Sequence, residues 1–272
     1  MPDTHGGNIF KFSHDHKINL SEVTDFSANI NLLGPSPKGL EALNERLRYI
    51  SHYPDVTNDD VMNTIADVYG IEKDSILLGN GAAELLYAVG RLSGFTGAFV
   101  PAPGFSEYQA SMDAANIPVR EIFYRQRQND DGTPYFEVPY LALQTFAAEL
   151  KGQDGRIIVF LGNPNNPDGT LLDKQSIKVL AQMLKDANSL LVIDESFIDF
   201  IGNESLRDNS YSMRELINQY DNVIIVHSFT KFYAVPGLRI GAVFANPTLI
   251  QELRQYIPAW SVNTLAQAYT ES

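Results

Sequence analysis

Short apolar runs alternate along this chain with longer stretches whose apolar positions recur at helical spacing. The runs cover residues 75–78, 98–100, 157–161, 190–193, 223–226 and 240–244. The amphipathic stretches cover 82–92, 105–115, 140–150, 174–187 and 213–219. Runs this short and apolar predict buried strands, and the stretches between them predict helices. Two more helices are expected earlier, over residues 39–50 after Pro35 and Pro37, and over 58–69 with Thr57 or Asn58 as N-cap. A last helix is expected after Trp260-Ser261-Val262-Asn263. Such alternation predicts an α/β fold with a mostly parallel central sheet flanked by helices. Residues 1–35 are polar and rich in Gly and Asn, and read as an extended arm ahead of a large domain over 36–272.

The chain has 272 residues, 44% of them hydrophobic, enough for a substantial core. A formal net charge of −13 argues against a nucleic-acid partner, whose phosphates attract basic faces. With no cysteine, disulfides and thiolate metal sites are excluded. His14, His16, His52 and His227 lack metal-ligand spacing, so no metal is expected. The first seven residues hold no signal-peptide core, and no apolar run reaches the roughly 18–20 residues that span a bilayer. A cytoplasmic protein with no membrane partner is the expectation.

Chemistry gathers just after the apolar runs, at Gly79, Pro103, Asn163, Asp194 and Ser228. In parallel sheets, ligands bind beyond the carboxyl ends of the strands, so these positions are expected to share one crevice. Lys231, in Ser228-Phe229-Thr230-Lys231, has apolar neighbours that would lower its pKa and favour an imine with an aldehyde. Ser228, Thr230 and Arg239 offer two hydroxyls and a guanidinium fork for a phosphate. In Gly79-Asn80-Gly81-Ala82-Ala83-Glu84, the glycines permit a tight turn, with Gly81 leading into a helix whose N–H groups at Ala82 and Ala83 face an anion. This is neither the dinucleotide fingerprint nor a nucleoside-triphosphate loop. Asp194 is a carboxylate at a buried strand end, which a protonated ring nitrogen would satisfy. Glu195 beside it supports that acid or is solvated. Asn166, in the rigid turn Asn163-Pro164-Asn165-Asn166-Pro167-Asp168-Gly169, has an amide for a ring oxygen, and Phe105 has a face for an aromatic ring. A phosphate cradle, an acid for a ring nitrogen, a donor for a ring oxygen and an amine for an aldehyde together describe pyridoxal 5′-phosphate.

The ordered set of residues 79–84, 163–169, 194–197, 228–231 and Arg239 resembles the fold-type I pyridoxal-phosphate enzymes, within their histidinol-phosphate aminotransferase branch. More narrowly, His5-Gly6-Gly7-Asn8, Asp25-Phe26-Ser27-Ala28-Asn29-Ile30-Asn31, residues 194–200, Leu238 and residues 260–263 resemble the threonine-phosphate decarboxylases of cobalamin biosynthesis. The resemblance implies decarboxylation of L-threonine O-3-phosphate to (R)-1-aminopropan-2-ol O-phosphate. It makes Lys231 the Schiff-base lysine, Asp194 the partner of the ring nitrogen, Asn166 the donor to the ring oxygen and Phe105 the stacking ring. Gly81, Ala82, Ala83, Ser228, Thr230 and Arg239 would hold the cofactor's phosphate. Tyr53 would reach the phosphate of a neighbouring copy, which implies a homodimer. His5, Gly6 and Asn29, with Asn166, would bind the phosphorylated amino-acid substrate. Many members place Tyr where Phe197 stands; Phe197 cannot donate to the ring oxygen, and the decarboxylases share it. The resemblance also implies a C-terminal small domain beyond residue 272, carrying arginines for the substrate, which this sequence lacks. Two other readings stay open: an aminotransferase acting on histidinol phosphate, and a catalytically inactive cofactor-binding fragment.

Overall fold

A computed structural model describes residues 6–150, 155–202 and 205–272. Its centre is a seven-stranded sheet, formed by β1 (Ile76–Gly79), β2 (Phe95–Ala102), β3 (Val119–Phe123), β6 (Arg156–Gly162), β7 (Leu190–Asp194), β8 (Val223–Ser228) and β9 (Gly241–Ala245). A separate hairpin joins β4 (Arg125–Gln128) to β5 (Pro134–Glu137). The strand order is β1-β9-β8-β7-β6-β2-β3. All neighbours run parallel except β9, which is antiparallel to both β1 and β8.

The helices are α1 (Ile9–His16), α2 (Pro37–Arg46), α3 (Asp59–Tyr69), α4 (Ala82–Gly90), α5 (Ser106–Ala114), α6 (Tyr140–Leu150), α7 (Lys174–Asp186), α8 (Phe229–Phe232), α9 (Pro247–Arg254) and α10 (Thr264–Glu271). They lie on both faces of the sheet. Leu191 and Ile193 of β7 point into one apolar layer with Ile65 of α3, Leu143 of α6 and Ile177 and Leu180 of α7. Leu190 and Val192 point the other way, into a layer with Leu85 and Leu86 of α4, Met112 of α5 and Leu253 of α9. Burial on both faces is why the strands read as continuous apolar runs rather than as alternating patterns.

All six predicted strands are present. The edge strand β3 and the hairpin β4–β5 were not expected, because β3 alternates weakly and every residue of β4 and β5 is exposed. The hairpin closes on Gly132, whose φ of +83° only glycine adopts readily, with the Thr133 N–H donating to Asp131 Oδ1 at 2.9 Å. Residues 213–219 form a 3₁₀ turn, Arg214–Asn218, in place of the expected α-helix. Residues 1–35 are not wholly extended either: α1 lies within them. Asn8 Oδ1 accepts from the Lys11 N–H and Lys17 closes the helix in the left-handed region, but α1 buries no residue. Among the described residues no helix is long and apolar enough to cross a membrane.

Candidate active site

The parallel strands β1, β2, β6, β7 and β8 all present their carboxyl ends to the same edge of the sheet. The antiparallel strand β9 starts there, because Gly241 pairs with both Gly79 and Ser228. Arg239, two residues before Gly241, is thereby delivered to the mouth formed by the ends of β1 and β8.

Lys231 sits on α8, a single turn that opens directly after Ser228. Burial lowers its pKa, the Arg239 guanidinium lowers it further, and the Asp194 carboxylate acts in the opposite sense. Among the described residues none hydrogen-bonds to its amine. The α8 backbone is itself held from outside, since the Asn31 N–H donates to Lys231 O at 3.0 Å and Asn31 Nδ2 donates to Phe232 O at 2.8 Å. Asn31 thus docks the N-terminal segment onto the lysine, a contact across the whole domain that no local pattern reveals.

Asp194 ends β7 and is 7% exposed. Its Oδ1 accepts from the Ser196 N–H at 2.9 Å, and its Oδ2 accepts from the Tyr108 hydroxyl at 2.9 Å. Two donors on two oxygens fix the plane of the carboxylate. Tyr108 is fully buried, and that burial, with the Asp194 charge, pushes its phenol pKa well up, so it remains a donor. Its ring stacks on Phe160 at 5.2 Å and meets the edge of Phe105 at 5.7 Å. The sequence reading gave Tyr108 no role; the available signal was its position one helical turn after Phe105. Glu195 is not solvated. It is fully buried, accepting from Ser212 Oγ at 2.7 Å and the Met213 N–H at 2.5 Å, and burial raises its pKa.

The turn between β1 and α4 is built around Gly81, with φ +82°. A Cβ there would collide with the Arg239 guanidinium, and one on Gly241 would collide with the Ala82 backbone. Only glycines at both places let β9, Arg239 and the α4 N-terminus close together. Glu84 holds the turn by accepting from the Asn80 N–H at 2.7 Å and from the Ser261 hydroxyl. Opposite, the buried hydroxyls of Ser228 and Thr230 stand 2.8 Å apart.

After β6, Asn163 and Asn165 are structural. Asn163 Oδ1 accepts from the Leu172 N–H at 2.8 Å, and Asn165 Nδ2 donates to Pro103 O at 3.0 Å and Asp168 Oδ1 at 2.6 Å. Asn166 is left facing the cleft.

A cavity of ≈ 110 Å³ brings together Ala82, Ala83, Phe105, Asn166, Asp194, Phe197, Ser228, Thr230, Lys231 and Arg239, with Tyr108, Pro164 and Ser196. An adjoining cleft of ≈ 430 Å³ shares Pro164, Asn166 and Phe197 with it and is lined by Asn29. Gly6 lies elsewhere, in a separate cleft between α1 and residues 23–27. Tyr53 is outside the cavity, 79% exposed and stacked on Trp260 at 4.6 Å. His5 lies outside the described residues.

The family model "Aminotransferase class I and II" matches residues 21–272. The chain belongs to that family. It is 35% identical over 271 residues to the adenosylcobalamin biosynthesis bifunctional protein CobDQ of Leptospira interrogans, covering 98% of this chain and 29% of that protein. It is 31% identical over 268 residues to the threonine-phosphate decarboxylase of Salmonella typhimurium, covering 96% of this chain and 67% of that one. Among solved structures, the histidinol-phosphate aminotransferase from Clostridium acetobutylicum superposes with a TM-score of 0.75 at 25% identity, over 91% of this chain and 68% of that one. The chain therefore spans less than a third of the first of these curated relatives and about two thirds of the second.

Proposed function

We propose that this chain is the cofactor-binding part of a pyridoxal-phosphate enzyme that decarboxylates L-threonine O-3-phosphate to (R)-1-aminopropan-2-ol O-phosphate. The observation that carries the proposal is that Lys231 and a doubly hydrogen-bonded Asp194 line one cavity, with Arg239, Ser228, Thr230 and the α4 N-terminus beside them. That donor set fits pyridoxal phosphate, with an acid for the ring nitrogen, hydroxyls and a guanidinium for the phosphate, and an amine whose pKa is lowered. The similarity to the Salmonella decarboxylase over 96% of this chain supports the choice of reaction.

When bound, the cofactor supplies an electron sink for the bond broken at the substrate's α-carbon. The residues of the chain prepare that chemistry. Asp194, with both oxygens accepting hydrogen bonds, is held in one orientation to pair with the ring nitrogen, and Tyr108 excludes water behind it. Ser228, Thr230 and Arg239, with the first N–H groups of α4, would hold the phosphate. Phe105 would offer its face to the ring and Asn166 its amide to the ring oxygen. Lys231, half-buried beside Arg239, gives up its proton more readily than a solvated lysine, which suits it to join the aldehyde and to carry a proton afterwards. Phe197 leaves its side of the cleft without a hydroxyl donor. Asn29 and Asn166 would meet the substrate in the adjoining cleft. Tyr53, exposed and stiffened by Trp260, would reach the cofactor phosphate of a second copy in a homodimer.

The likeness to the Clostridium acetobutylicum enzyme favours a second reading, transamination of histidinol phosphate. The protein loaded with pyridoxal phosphate is given threonine phosphate alone, and separately histidinol phosphate with 2-oxoglutarate. Carbon dioxide released without a keto acid supports decarboxylation. Glutamate formed only in the second mixture overturns it in favour of the aminotransferase.

A further inference from the structure

Beneath α8 lies a buried polar cluster that the chemistry above does not use. Asp199 follows β7 by five residues, and its side chain is 4% exposed. Its Oδ2 accepts from the Tyr69 hydroxyl of α3 at 2.8 Å and meets His227 Nε2 of β8 at 3.0 Å. The Tyr69 hydroxyl also meets the Tyr233 hydroxyl at 3.2 Å. His227 Nδ1 finds no partner among the described residues, so Asp199 alone fixes that ring by hydrogen bonding. Arg214 caps the cluster, its guanidinium 4.8 Å from the Tyr69 ring centroid.

His227 and Tyr233 stand on either side of Lys231 in the chain, one just before the turn that bears it and one just after. Both ends of the lysine segment are therefore tied, directly or through Tyr69, to one carboxylate oxygen. A four-residue helix has too few internal hydrogen bonds to hold its own orientation, so its position is set by such external ties. We infer that Asp199, with Tyr69 as its relay to Tyr233, is a positioning residue that sets where the Lys231 amine stands in the cleft. Burial works against the charge on Asp199, but its contacts with His227, the Tyr69 hydroxyl and Arg214 outweigh that cost and hold its carboxyl below the ordinary value. The fully buried Glu195 takes part in the same field, interacting with Arg214 and His227.

The inference rests on Lys231 being the site of cofactor attachment, and its test separates the two claims. Tyr69→Phe and Tyr233→Phe both break the Tyr69–Tyr233 link and keep both rings; Tyr69→Phe also removes the donor to Asp199. The rate at which pyridoxal phosphate becomes fixed to Lys231, trapped with borohydride and located by peptide mass, is expected to fall about tenfold in each variant. Because both interrupt one relay from Asp199 to Tyr233, the double variant is expected to be no slower than the slower single one. Rates in both single variants equal to the parent's, with unchanged circular dichroism, would overturn the positioning role while leaving the lysine assignment standing. Multiplying losses in the double variant would overturn it too, because two independent packing defects behave that way. Label found on a different lysine in the parent protein would instead overturn the attachment reading itself.

Discussion

At the scale of single residues, the site depends on side chains that exclude alternatives as much as on those that bind. Gly81 is one. Its φ of +82° and its closeness to the Arg239 guanidinium both penalise any side chain. Gly81→Ala is expected to cost at least about 1 kcal/mol of stability, read from the denaturant midpoint. It is also expected to weaken pyridoxal-phosphate binding in an absorbance titration, because the new methyl would displace Arg239, the proposed phosphate ligand. Lys231 gives a pH prediction. Its folded pKa lies below the value of 10.5 for a free lysine, so between the two the unfolded chain holds more protons than the folded one. Stability of the cofactor-free protein therefore carries a full penalty below the folded pKa and recovers as pH rises toward the unfolded value. Lys231→Met is expected to remove that alkaline recovery, as followed by chemical denaturation across the range. Lys231, Asp194 and Arg239 were legible because each follows an apolar run or sits at a fixed distance from one that does. Tyr108 was not, because its hydrogen bond to Asp194 spans 86 positions and depends on how α5 lies against β7.

At the scale of elements, local signals located those that bury a face. The six apolar strands and helices α3 and α7 have strong patterns because both sheet faces are covered. Helix α1 and the β4–β5 hairpin bury almost nothing and are held by capping and turn chemistry. Helix α10 is held by a different device. Gln267 is 1% exposed; its Nε2 donates to Asp55 O and Asn58 Oδ1, both at 2.7 Å, and its Oε1 accepts from the Asp55 N–H at 3.2 Å. One amide thus clamps the loop that follows Tyr53. Gln267→Leu keeps the volume and strips these partners, and is expected to cost about 2 kcal/mol. A thermal melt that does not move would show that the loop is held by something else.

At the scale of the whole molecule, the α/β class was legible and the path of β9 was not. Apolar runs carry no direction, so nothing in residues 240–244 announces that this strand runs against its neighbours. That reversal is what brings Arg239 to the same sheet edge as Ser228 and Gly79. The resulting convergence of five strand ends and one strand start makes a single claim about chemistry: the Lys231 amine is where a vitamin B6 aldehyde attaches. Incubating the protein with pyridoxal phosphate, reducing with borohydride and mapping the label by peptide mass tests it most directly. The account predicts one labelled position, Lys231, and no label in Lys231→Ala; undiminished labelling of that variant, or a parent labelled elsewhere, would contradict it.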